Sequence, residues 1–360
     1  MPDRRYRRLE RGGSLEPMIV LAPADRRTAP GPVAGLVVAV LLGLGATAAG
    51  AAVPVIGAPV FAVLTGVALS PLLRRRAALW HPGLDFAKGR VLQFSVVLLG
   101  AQLSLGEAVS VGVDSLPVML GTLAVCLALA AVLGRRLGIG RDLSTLIGVG
   151  TGICGASAIA AVTPTIRARS TDVAYAISTI FLCNIAAVLL FPPLGHALGL
   201  GQEAFGLFAG TAVNDTSSVV AAASTYGPTA AQHAVVVKLV RTLMIIPIVL
   251  ALAATVRHRD GAAPAEARPA RWRAAVALVP WFLVGFVLVA ALNSAGLIPA
   301  AAHPPAHRAA LVCIAVALAA IGLSTDVAGL RRAGPRPLLL GVMLWVAVSA
   351  TSLGLQALTL

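Results

Sequence analysis

The sequence predicts an all-α, polytopic membrane protein, and three observations carry that prediction. Charged residues make up 12% of the chain against 58% hydrophobic residues, where ordinary soluble domains carry about 25% charged residues. Apolar stretches of about 20 residues, the length a helix needs to span a bilayer, recur about eleven times. Basic residues gather in the N-terminal tail and in alternate loops, which is the bias of cytoplasmic loops.

Residues 1–30 form a basic tail with Arg4, Arg5, Arg7, Arg8, Arg11, Arg26 and Arg27. It is too long and too charged for a signal-peptide n-region and is expected to be disordered. Candidate spans follow at 33–50, 52–71, 91–108, 115–133, 143–165, 172–192, 203–223, 231–256, 273–293, 307–324 and 337–358. They imply 10–11 transmembrane helices in one transporter-sized domain over 31–360. Its parts 31–256 and 273–360 are joined by a connector at 257–272 that is rich in Ala, Pro and charge. With the N-terminus inside, the clusters at Arg74, Arg75, Arg76, Lys88 and Arg90, at Arg135, Arg136 and Arg141, at Arg257–Arg273 and at Arg331, Arg332 and Arg336 all fall on the cytoplasmic side. The net charge of +14 therefore reports membrane topology. Nucleic acid is not an expected partner, because no aromatic-rich basic segment accompanies the charge. Cys126, Cys154, Cys183 and Cys313 lie in apolar spans without metal-ligand spacing and read as small core residues. No cofactor or metal is implied.

One glycine-broken pattern occurs twice. Gly150-Thr151-Gly152-Ile153-Cys154-Gly155-Ala156-Ser157 aligns without gaps to Gly210-Thr211-Ala212-Val213-Asn214-Asp215-Thr216-Ser217, and an apolar run follows each. Glycine and small polar residues at this density break a helix. In lipid, the freed backbone groups survive only inside protein or beside a water-filled cavity. Paired interruptions of this kind point to the substrate site of a transporter. The first copy also fits G-x-G-x-x-G, but a dinucleotide fold needs a soluble βαβ unit, and apolar spans flank this one.

Arg167 and Arg169 fall on the wrong side if 143–165 crosses the membrane once. If both broken segments instead enter and return as hairpins, these arginines become cytoplasmic and the two copies are inverted relative to one another. Leu103-Ser104, Pro117 and Gly121 recur as Leu323-Ser324, Pro337 and Gly341, a second sign of inverted repeats.

Asp215, Lys238 and Arg241 are ionisable residues in or beside the apolar core, where each costs about 2.5–3.5 kcal/mol at a helix centre. Lys238 and Arg241 share one helix face. Together with helix ends they make an anion site, with bidentate donors from arginine. The alternatives are an Asp215–Arg241 or Asp215–Lys238 ion pair that only fixes the bundle, or snorkelling of the two cations to the interface. Asp215 has a further reading as the carrier of a coupling H⁺ or Na⁺. Asn184 and Gln102 read as helix–helix hydrogen bonds. An enzyme would need a nucleophile–base pair or metal ligands, and the sequence does not bring such a set together.

At these residues the chain resembles a known family. GTGICGASAIAAVTP (Gly150–Pro164), LFPPLG (Leu190–Gly195), AGTAVNDTSSVVAAA (Ala209–Ala223), VVKLVRTLMIIP (Val236–Pro247) and GLSTDVAGLRRAG (Gly322–Gly334) look like the YeiH-like family of bacterial inner-membrane proteins, described as sulfate exporters. The resemblance implies a secondary transporter of inverted repeats, similar in plan to cation–proton antiporters and bile-acid symporters. Its substrate would be an inorganic or sulfonate-type anion, with sulfate the usual one. Asn214 and Ser218 stand where the family motif carries His and Gln. This site therefore lacks a titrating histidine, which leaves Asp215 as the coupling residue.

The expected function is export of a small anion across the bacterial plasma membrane by alternating access, coupled to H⁺ or Na⁺. A homodimer is one assembly considered. Thr151, Gly152, Ser157, Thr211, Asn214, Thr216 and Ser217 would bind the anion through hydroxyls and backbone, and Lys238 and Arg241 through charge. An anion channel, an intramembrane enzyme and a non-transporting scaffold are the competing classes.

Overall fold

A computed structural model describes residues 33–52, 57–73, 77–259, 279–324 and 335–359, and among these every regular element is helical. The tail 1–30 and nearly all of the 257–272 connector lie outside the described residues. In chain order, α1 (Val33–Ala52) pairs with α2 (Gly57–Leu73), and α3 (Ala77–Phe86) runs through a π-helical turn at Ala87–Val91 into α4 (Leu92–Leu99). Helix α5 (Leu105–Asp114) leaves that run at 106°. The corner is made by Ser104, whose hydroxyl accepts from Glu107 N while the Glu107 carboxylate accepts from Ser104 N, a reciprocal capping box. Then come α6 (Leu116–Arg136), α7 (Arg141–Gly152), α8 (Ala156–Ile166), α9 (Ser170–Ala197), α10 (Gln202–Ala212), α11 (Thr216–Tyr226), α12 (Pro228–Leu243) and α13 (Ile245–Arg259). The chain closes with α14 (Trp281–Ser294), α15 (His303–Leu323) and α16 (Pro335–Thr359).

Six of the expected spans are single helical runs long and apolar enough to cross a bilayer: α1, α6, α9, α12 with α13, α15 and α16. The other stretches take different forms. The one at 91–108 is the bent run ending in α5, and those near 52–71 and 273–293 hold the shorter apolar helices α2 and α14. The stretches at 143–165 and 203–223 are the two glycine-broken segments, each split into a pair of short helices.

Both broken segments are hairpins. Arg141, Asp142 and Thr145 at the start of α7 line the same cavity as Ile166 and Arg167 at the end of α8, so both legs finish at one end of the bundle. In the second pair, the Tyr226 hydroxyl at the end of α11 donates to Leu200 O just before α10. The Tyr226 ring stacks on Phe205 at 3.8 Å and on His196 at 4.2 Å. The 28-residue α9 joins the end of the first hairpin to the start of the second and is long enough to cross. The hairpins therefore enter from opposite ends. Arg167 lines one cavity with Arg141 at one end of the bundle, while Asp114 and Glu203 share a cavity at the other end.

The helices group into two bundles. Helices α1, α2, α3, α4, α14 and α15 pack together, and α6 through α13 pack with α16. Missing side chains allow the closest approaches. A Cβ on Gly66 of α2 or Gly322 of α15 would stand 2.9 Å from the other's Cα, and a Cβ on Gly210 would meet Val237 Cβ of α12 at 2.8 Å. Helices α6 and α16 run antiparallel, with Gly121 against Leu355 and Gly134 near Leu340. The second bundle thus recruits α16 from the far side of the 257–272 connector. The bundles meet where Val220 and Ala221 of α11 enter an apolar cluster with Ala62 and Val63 of α2 and Ile314 and Leu318 of α15.

Candidate functional site

The two hairpin tips touch inside the second bundle. In the first, Gly155 N bonds to Gly150 O at 2.9 Å and closes the turn between α7 and α8. Gly155 adopts φ 68° and ψ −131°, a region open in practice only to glycine. A Cβ there would lie 3.1 Å from Asp215 Cβ in the second tip. Glycine at 155 therefore permits both the turn and the contact.

In the second tip, Asp215 caps α11. One carboxylate oxygen accepts from Ser218 N and from Ser217 Oγ, both at 2.6 Å. The other accepts from Ser218 Oγ at 3.2 Å and from the Asn184 amide of α9. Asn184 Oδ1 in turn accepts from Asn214 N at 3.1 Å. This is an N-cap with two donors on each carboxylate oxygen.

Helix α12 supplies one cation to each tip. Lys238 Nζ donates to Val213 O at 2.8 Å, where α10 ends, and Arg241 Nε donates to Gly152 O at 2.6 Å, where α7 ends. Both side chains are fully buried. The C-terminal end of a half-helix carries partial negative charge and unpaired carbonyls, which a cation satisfies. Neither cation lies within ion-pair distance of Asp215. The ion-pair and snorkelling alternatives therefore do not describe this site. Lys238 and Arg241 hold helix ends.

These contacts leave donors over. Arg241 Nη1 and Nη2, both polar atoms of the Asn214 side chain and the Thr151 hydroxyl are buried without a hydrogen-bond partner. Buried polar groups are nearly always satisfied, so a cluster of orphans calls for an explanation. All three residues sit at the tips: Thr151 and Asn214 adjoin the carbonyls that Arg241 and Lys238 hold.

The remaining expected residues divide. Gly152 provides the carbonyl under Arg241. Ser157 lies exposed on the first turn of α8, a helix whose N-terminus no side chain caps. Thr216 and Ser217 are half-buried at the start of α11, and Ser217 serves Asp215. Thr211 lies apart from the tip chemistry. Its hydroxyl is shared by Leu207 O, Phe208 O and Ser352 Oγ, and it joins α10 to α16. Asn184, read from the sequence as a helix–helix hydrogen bond ahead of a ligand, bonds from α9 to the second tip. It was visible as the single amide of its span, but its partners lie 30 and 31 residues away. Gln102 does bond across helices, accepting from Gln232.

Comparison with known proteins gives the chain a family. The family model described as "Conserved hypothetical protein 698" matches residues 30–341. UPF0324 membrane protein spr0034 of Streptococcus pneumoniae is 39% identical over 334 residues, covering 90% of this chain and 96% of the relative. UPF0324 membrane protein SpyM3_0740 of Streptococcus pyogenes is 40% identical over 328 residues, covering 89% and 96%. UPF0324 membrane protein FN0533 of Fusobacterium nucleatum is 38% identical over 342 residues, again covering 89% and 96%. No solved structure matches the chain. The match spans both glycine-broken hairpins and the helix that pins them, and the chain belongs to the conserved hypothetical protein 698 family of membrane proteins.

Proposed function

We propose that this protein is a secondary transporter of the bacterial plasma membrane that exports a small anion, with sulfate the candidate that its family resemblance supplies. The observation that carries the reading is Arg241: a fully buried guanidinium that spends Nε on Gly152 O and keeps Nη1 and Nη2 unpartnered. Two adjacent N–H groups of that kind fit two oxygens of an oxyanion. Asn214 and Thr151 add neutral donors, and Lys238 adds charge without leaving Val213. The opposed hairpins bring the site within reach of both ends of the bundle, as alternating access requires. The end bearing Arg135, Arg141 and Arg167 is cytoplasmic on the positive-inside rule, which puts the N-terminus inside. Asp215 couples the anion to H⁺ or Na⁺.

The test is uptake and exchange of labelled sulfate in proteoliposomes, with competing anions and imposed pH or Na⁺ gradients. Saturable, gradient-dependent flux is expected. Arg241→Gln should lower it by about 10- to 150-fold, the value of hydrogen bonds to a charged group. Arg241→Lys should recover only part, because a point charge replaces a planar fork. Conductance that ignores the gradients would mark a channel and sink the transporter reading.

A further inference from the structure

Outside the tips, the charged end of the second bundle carries a cavity of two parts. The first, about 210 Å³, is polar and is bounded by Arg141, Asp142 and Thr145 of α7 and by Arg167 after α8. The second, about 400 Å³, runs up between α6, α7 and α13 and is lined by Leu127, Ala130, Val149, Ile248 and Ala251, with Arg135 at its mouth. Arg141, Thr145, Leu252 and Thr255 border both parts, so polar chamber and apolar groove are continuous. Arg135, Arg141 and Arg167 are exposed and come from three different elements, with Asp142 as the acid among them.

We infer that this cavity is a binding site for an anionic glycerophospholipid, with the phosphate in the arginine chamber and an acyl chain in the groove. A basic chamber alone would take free phosphate, and an apolar groove alone would take any lipid tail. Their junction at Arg141 and Leu252 matches a molecule that carries both. Basic pockets between transmembrane helices at the cytoplasmic face are the setting in which acidic headgroups bind. The groove ends at Gly148 and Val149, a turn before Thr151. The lipid therefore lies along α7, against the outer leg of the first hairpin. This inference does not depend on what the tips transport.

The experiment is native mass spectrometry on the delipidated full-length protein in detergent. Phosphatidylglycerol, phosphatidylcholine with the same chains, and inorganic phosphate are titrated separately. Phosphatidylglycerol should bind at least tenfold more tightly than phosphatidylcholine. The double variant Arg135→Gln/Arg141→Gln should lose about thirtyfold of that affinity, at about fivefold per basic residue. Arg167 has φ 53°, so Arg167→Asn removes its charge while keeping a residue that tolerates the left-handed conformation. It gives an independent variant whose backbone at 167 is no more strained than the parent's. Ala251→Trp should fill the groove and weaken both lipids. Equal binding of the two lipids, inorganic phosphate binding as tightly as phosphatidylglycerol, or undiminished preference in both arginine variants would each overturn the inference.

Discussion

The two hairpins share a sequence pattern and a geometry but not a state of charge. The tip of the second carries its own anion: Asp215 occupies the N-terminus of α11 and draws in Ser217, Ser218 and Asn184. The tip of the first carries none. At the matching place stands Gly155, which has no side chain to cap α8, and Ser157 lies exposed on that helix's first turn. Their carbonyl ends are treated alike, each held by one cation of α12. One broken helix is therefore neutralised from within at both ends, while the other is neutralised at its carbonyl end only. The asymmetry leaves a fixed negative charge at the second tip and none at the first.

Substitutions can break this asymmetry in graded steps. The largest effect is expected from Asp215→Asn, which removes the fixed charge but retains an amide oxygen for Ser218 N. Gradient dependence of anion flux should vanish, and the melting temperature should fall by a few degrees because the new amide N–H₂ meets only donors; flux still driven by a pH or Na⁺ gradient would rule out the coupling role proposed for Asp215. Next comes Gly155→Ala. The new Cβ enters a glycine-only backbone region and crowds Asp215 Cβ at 3.1 Å, which should cost about 1–3 kcal/mol. Thermal melting in detergent measures it, and an unchanged midpoint would show that the tips do not press on one another. The smallest effect belongs to Gly152→Ala. Its Cβ would meet Leu123 Cδ1 at 3.1 Å, the end of a movable side chain, and alanine gains about 1 kcal/mol of helix propensity over glycine. Stability should change by less than about 1 kcal/mol, which confines the sensitivity of the first tip to Gly155.

Much of this was legible in the chain. Among the described residues, hydropathy located six helices, or seven with the bent pair, that are long and apolar enough to cross, fewer than the 10–11 expected, and glycine density located both breaks. Direction was harder to read, because a helix of given composition looks the same whether the next one continues or returns. Only Arg167 and Arg169, basic residues stranded by a single crossing, signalled the return. Lys238 and Arg241 were readable as charges that cannot face lipid, but their partners were not, because the partners are backbone carbonyls with no residue-type signature. Thr211 shows the opposite failure. It aligns with Thr151 in the repeat, yet its hydroxyl is taken up by Leu207 O, Phe208 O and Ser352 of α16. Asn184 was readable as a hydrogen bond between helices, but its partners at the second tip, 30 and 31 residues on, were not.

Placing both cations on α12 has a consequence for assembly. The first hairpin leaves the ribosome with its carbonyl end at Gly152 unmatched, and the residue that matches it, Arg241, is made only after α9 and the whole second hairpin have followed. A free helix end of this kind is poorly tolerated in hydrocarbon. Until α12 is made, neither hairpin has the partner of its carbonyl end, and that one helix then supplies both.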